Sequence, residues 1–126
     1  DPELAHVGMG EADARKAGLD PKVLRWPFLE NDRAQTERQT EGLVKVVLDS
    51  KGRVLGASIV GAHAGELILP WVQTIMAKRK IKTMIDPVFP YPTLSEASKR
   101  AALSNFAALA SNRWVRHIVN ALASFG

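Results

Sequence analysis

The sequence predicts an α+β domain: an antiparallel sheet of three or more strands with helices packed on it. Three observations carry that expectation. Two apolar, β-branched runs, residues 42–48 and 53–60, flank the turn Asp49-Ser50-Lys51-Gly52, which is the pattern of a hairpin with a short loop. After Gly61, apolar residues return at helical spacing in two stretches, and a capping-box pattern opens a third helix between them. The chain has 126 residues, enough for one domain with a real core and little more.

The elements follow in order. Residues 10–17 read as a short helix with acidic residues at its start, ended by Gly18 with Pro21 beyond. Residues 23–29 read as a strand, and Pro27 within it implies a sheet edge or an early stop. Residues 31–41 are polar and read as a loop or a short turn of helix. The hairpin comes next. Residues 64–79 are long enough for a helix, with Leu67, Trp71, Ile75 and Met76 near helical spacing. Pro70 conflicts with it unless it falls in a first turn. The basic run Lys78-Arg79-Lys80 sits where the C-terminus of that helix is expected, where cations suit the dipole. Residues 86–92 hold three prolines and exclude regular helix. Thr93-Leu94-Ser95-Glu96 fits a capping box, the Thr hydroxyl capping a helix whose third residue is Glu, and that helix runs to about residue 110. A last amphipathic helix begins at Asn112, with Trp114, Val115, Ile118, Leu122 and Phe125 on one face. The division expected is a body, residues 1–110, and a C-terminal helix, residues 111–126, packed on it or on a dimer partner.

Composition excludes several kinds of chemistry. There is no cysteine, so this chain holds neither a thiolate nucleophile nor a Cys-type zinc site. His6, His63 and His117 share no metal-ligand spacing; no metal site is expected, and each reads as a solvated residue. The net charge of +4 arises from basic residues mixed with acids along most of the chain, which argues for solvated faces and against a nucleic-acid partner. No stretch approaches the roughly 18 apolar residues of a membrane span. The opening Asp1-Pro2-Glu3 does not read as a secretory leader, and a cytoplasmic location is expected.

Four segments resemble, in order, the C-terminal interface domain of the pyridine nucleotide-disulphide oxidoreductases, the family of dihydrolipoamide dehydrogenase, glutathione reductase and mercuric reductase. They are Asp1-Pro2-Glu3-Leu4-Ala5-His6-Val7-Gly8 followed by Glu11; Gly42-Leu43-Val44-Lys45-Val46-Val47; Val54-Leu55-Gly56-Ala57-Ser58-Ile59-Val60-Gly61 continuing through Ala64-Gly65-Glu66-Leu67-Ile68; and Tyr91-Pro92-Thr93-Leu94-Ser95-Glu96. The resemblance covers roughly residues 1–110 and makes them an interface (dimerisation) domain. It implies a first strand, which the chain enters part-way. It also implies a homodimer, and FAD-binding and NAD(P)-binding domains upstream on the same polypeptide, with the redox-active cysteine pair. This chain carries no Gly-x-Gly-x-x-Gly fingerprint between strand and helix, so by itself it is expected to bind no cofactor and to catalyse nothing.

The resemblance also implies where chemistry would lie. In the lipoamide and glutathione enzymes the fourth segment begins with a histidine that enters the partner subunit's site as acid/base for thiol–disulphide exchange, and its Glu orients that histidine. The thiolate is the nucleophile there, so a base near neutrality must hold the proton. Here the position holds Tyr91, a phenol with a reference pKa of about 10 and a poor base near neutral pH. It can donate a hydrogen bond, protonate a leaving group or, deprotonated, ligate a soft metal substrate. Phe89-Pro90-Tyr91 is similar to mercuric reductase, whereas Pro92 and Leu94-Ser95-Glu96 are similar to the lipoamide enzymes. Two readings of each residue stand: Tyr91 as a chemical group or as an interface aromatic, Glu96 as its partner or as half of the capping box. The Tyr91-Pro92 turn is implied to contact the partner's flavin, and its peptide bond is expected to be cis. The alternative of another class is a free-standing interaction module with the same fold and no flavin chemistry.

Overall fold

The hairpin is the centre of the sheet. In the computed structural model, which describes residues 2–110 and 113–124, β3 (Leu43–Leu48) and β4 (Val54–Gly61) pair antiparallel, with Val44 opposite Ile59 and Val46 opposite Ala57. Asp49 builds the turn, its carboxylate accepting from the backbone N–H groups of Lys51 and Arg53 at 2.8 and 2.9 Å. β2 (Lys22–Pro27) joins β3, and β1 (Glu3–Gly8) joins β4, giving the antiparallel order β1-β4-β3-β2. β2 is an edge strand that stops at Pro27, earlier than patterning predicts, because the ring nitrogen has no hydrogen for a ladder. Phe28–Glu30 then form a tight 3-10 turn. β1 matches the strand implied by the resemblance. Its own patterning is weak because it also lies at an edge, with Leu4 73% exposed.

Six α-helices are described: α1 (Glu11–Lys16), α2 (Asp32–Thr36), α3 (Ala64–Leu67), α4 (Leu69–Met76), α5 (Glu96–Ala110) and α6 (Arg113–Ser124). The polar stretch 31–41 is therefore a short turn of helix followed by loop. The single helix expected over 64–79 is two. Its break at Ile68 places Pro70 in the first turn of α4, where a missing N–H breaks no helical bond. α4 ends before the basic run, with Lys78 in the left-handed region (φ 54°) and the Arg79 N–H bonded back to the Thr74 carbonyl at 3.0 Å.

One face of the sheet meets the helices. Leu24, Val44, Val46, Ala57 and Ile59 pack with Phe28, Trp71, Ile81 and Met84. Ala97, Ala101 and Ala102 let α5 lie close to β2 and β3. Trp71 is fully buried, and its indole N–H donates to Ser98 Oγ at 2.9 Å, tying α4 to α5. Gly56 permits the chain after β1 to cross β4: a Cβ there would collide with the Met9 carbonyl, whose own N–H bonds Leu55 O at 2.9 Å.

The other face is mixed, with Val23 opposite a buried Val47 beside a charged pair. Arg25 and Lys45 stand opposite one another in register. Glu11 at the start of α1 bridges them, its carboxylate 3.9 Å from Arg25, 3.5 Å from Lys45 and 3.1 Å from Arg15. His6 is less free than expected. Its ring nitrogens bond Ser58 Oγ at 2.7 Å across the β1–β4 pair and Gly8 O at 2.9 Å. His63, exposed with φ 61°, is the solvated turn residue the sequence predicts. On α6, His117 is exposed, and Ile118 and Leu122 are 42% and 67% exposed. The side chains of Trp114 and Val115, and Phe125 altogether, lie outside the described residues.

Candidate functional site

The prolines at 87, 90 and 92 hold residues 87–95 out of regular structure, as an arm between the 3-10 turn Ile81–Met84 and α5. The Tyr91–Pro92 bond is cis, as expected. Tyr91 projects from the arm, 70% exposed. Its hydroxyl donates to Asp32 Oδ2 at 2.7 Å, a short bond of the charge-assisted kind. That bond, then the charge of Asp32, and last that of Glu96, raise the phenol above its ordinary pKa. The group is thus a neutral phenol throughout the neutral range.

The capping box is only half formed. The Glu96 carboxylate accepts from the Thr93 backbone N–H at 3.4 Å. The Thr93 hydroxyl turns away and donates to the Pro90 carbonyl at 2.7 Å, because the sharp turn brings that acceptor nearer than the helix end. Asn31 supplies the second support. Its Oδ1 caps α2 by accepting from the Ala34 N–H at 2.9 Å, while its amide donates to the Thr93 carbonyl at 3.1 Å. Asn31 is almost fully buried.

Tyr91 and Glu96 therefore share one small hollow of about 110 Å3, with Trp26, Asn31, Asp32 and Arg100. The Trp26 indole N–H is buried there without an acceptor among the described residues. Pro92 faces a separate shallow recess with His63, Arg33 and Leu94. The sequence singles out Tyr91, Pro92 and Glu96. It misses Asn31 and Asp32, which sit 59 and more residues upstream in a stretch that reads as polar loop. The available signal is local: an Asn-Asp pair opening a short helix is capping chemistry, and it does not reveal what the side chains reach. Among the described residues no group of three or more His, Asp or Glu is placed to hold a metal, and no helix is long and apolar enough to cross a membrane.

Residues 1–102 match the model of the pyridine nucleotide-disulphide oxidoreductase dimerisation domain. The chain belongs to this family. The dimerisation domain is 43% identical over 103 residues to a dihydrolipoyl dehydrogenase of Haloferax volcanii, covering 81% of this chain and 22% of that protein. To the mitochondrial dihydrolipoyl dehydrogenase of Caenorhabditis elegans it is 36% identical over 112 residues, covering 88% and 23%. Among solved structures it superposes on the HOCl-induced flavoprotein disulfide reductase RclA of Escherichia coli with a TM-score of 0.77 at 31% identity, covering 81% of this chain and 24% of that one. LpdA of Mycobacterium tuberculosis gives 0.76 at 28% identity, covering 82% and 23%. The dimerisation domain thus spans less than a quarter of the length of these relatives. Its four-stranded antiparallel sheet with packed helices is the α+β fold expected.

Proposed function

We propose that this dimerisation domain belongs to a flavin-dependent NAD(P)H oxidoreductase, cytoplasmic and homodimeric, in which it presents the Tyr91-Pro92 turn to the partner subunit's flavin and disulphide or metal-ion site. FAD and NAD(P) would be held by other domains of the same polypeptide. The observation that carries this reading is the exposed Tyr91 on its arm, at the position where the family resemblance places an acid/base histidine. The two-fold symmetry of such a dimer lets each arm serve the opposite site.

The chemistry follows from the side chains. A neutral phenol is no base near pH 7, so Tyr91 would act by offering its oxygen to a thiol or bound water at the partner's site and not by taking a thiol proton. Glu96 adds negative charge behind it, which disfavours the phenolate further. Two measurements test the reading. Sedimentation of the flavin-bearing full-length protein is expected to give a dimer, and a monomer would count against the reading. Tyr91→Phe in that protein is expected to lower turnover with its disulphide or metal-ion acceptor; unchanged turnover with every acceptor removes Tyr91 from the chemistry.

A further inference from the structure

Tyr91 is mostly exposed, yet its hydroxyl is already committed. Two adjacent residues hold the turn that carries it. The Asp32 carboxylate receives the phenol hydrogen at 2.7 Å, and the Asn31 amide reaches the Thr93 carbonyl at 3.1 Å. At the far end, a Glu96 oxygen is engaged by the Thr93 N–H. The side chain that the family resemblance would pair with position 91 thus bonds the backbone, and a carboxylate from a different element bonds the phenol instead.

We infer that Asp32 is the positioning residue of Tyr91, occupying at the phenol the place that the resemblance gives Glu96 at a histidine. This deepens, and rests on, the reading of Tyr91 given above. A phenol has one hydrogen and two acceptor lone pairs. With the hydrogen pledged to Asp32, the oxygen offers lone pairs to whatever approaches from the partner. Tyr91 so held favours a group that carries a hydrogen, such as a thiol or a bound water, over a bare thiolate. The tether also orders the ring before the subunits meet, which removes part of the ordering cost of association.

Tyr91 is the only tyrosine of the chain, so alkaline titration of the 126-residue chain by ultraviolet absorbance reads this phenol alone. Asp32→Asn and Asp32→Ala are expected to move the titration down towards the ordinary phenol value, and Glu96→Gln to move it less. Asn31, which caps α2, is intact in all three, and circular dichroism checks that each is folded. The second arm uses the full-length flavin-bearing protein. There Asp32→Ala is expected to lower kcat severalfold, Asp32→Asn to restore part of the loss, and Asp32→Ala to add nothing in the Tyr91→Phe background. An equal cost of Asp32→Ala in both backgrounds overturns the inference, as does a Glu96→Gln shift as large as that of Asp32→Asn. If Tyr91→Phe alone turns over normally, the reading of Tyr91 falls, and the titration still decides whether Asp32 holds the ring.

Discussion

The packed face of the sheet and the arm at residues 87–96 are built on opposite terms. The first is held by area: apolar side chains from β2, β3 and β4 meet Trp71 and the alanines of α5, and burial is shared among many groups. The arm rests on the core through only Phe89 and Leu94 and is fixed by a handful of polar bonds from Asn31, Asp32, Glu96 and Thr93, while Tyr91 itself stands largely in solvent. The contrast teaches that the fold and the site can fail separately. Losing core volume should unfold the chain, whereas losing one polar bond should loosen the arm and leave the sheet standing.

The largest effect that would expose this difference is Trp71→Ala. It removes a fully buried ring and leaves Ser98 without its donor, and it should cost about 3–5 kcal/mol in urea unfolding. A loss under about 1 kcal/mol would show that α4 is not part of the core. Next comes Asn31→Ala, which deletes both a helix cap and the bond to Thr93. It should cost about 1–3 kcal/mol, with the chemical shifts of residues 91–95 moving more than those of β3 and β4; uniform changes across the sheet would contradict the separation.

Lys78→Gly tests the core side from the opposite direction. Lys78 holds a left-handed conformation that glycine adopts without strain, so the substitution should stabilise by up to about 1 kcal/mol. Destabilisation would mean that the Lys78 side chain does more than turn the chain.

The smallest effect belongs to Glu11. The Arg15 bond first, and the Lys45 bond after it, hold this carboxyl below its usual range. A carboxyl depressed in the folded state stabilises above its unfolded pKa, and the contribution fades as pH falls through the folded value. Wild type should therefore lose slightly more stability than Glu11→Gln between pH 7 and acid pH below the carboxylate range, most visibly at low salt. Identical acid sensitivity would show that the cluster over Arg25 and Lys45 is energetically silent, as exposed ion pairs often are.

The hairpin was legible because β-branched residues flank an Asp-Ser-Lys-Gly turn, and α5 because Thr93 and Glu96 stand at capping-box spacing. The break at Ile68 was half legible: Pro70 announced a conflict, but only packing decides that the helix restarts. β1 escaped patterning because an edge strand with Leu4 and His6 in solvent has no apolar alternation to show. At the site, Tyr91, Pro92 and Glu96 lie in one segment and announce themselves together. Asp32 and Asn31 do not, since hydrogen bonds across 59 and 62 positions leave no mark on local spacing.

Asn31 has a consequence beyond its bond energies. One side chain closes the first turn of α2 and fastens the carbonyl of Thr93, so detaching the arm and fraying that helix share a common step. The amide hydrogen of Ala34, held by Asn31 Oδ1, then becomes a remote gauge of the arm. Its exchange with solvent deuterium should quicken whenever the Tyr91 turn lets go, and slow when a second subunit clamps that turn in place.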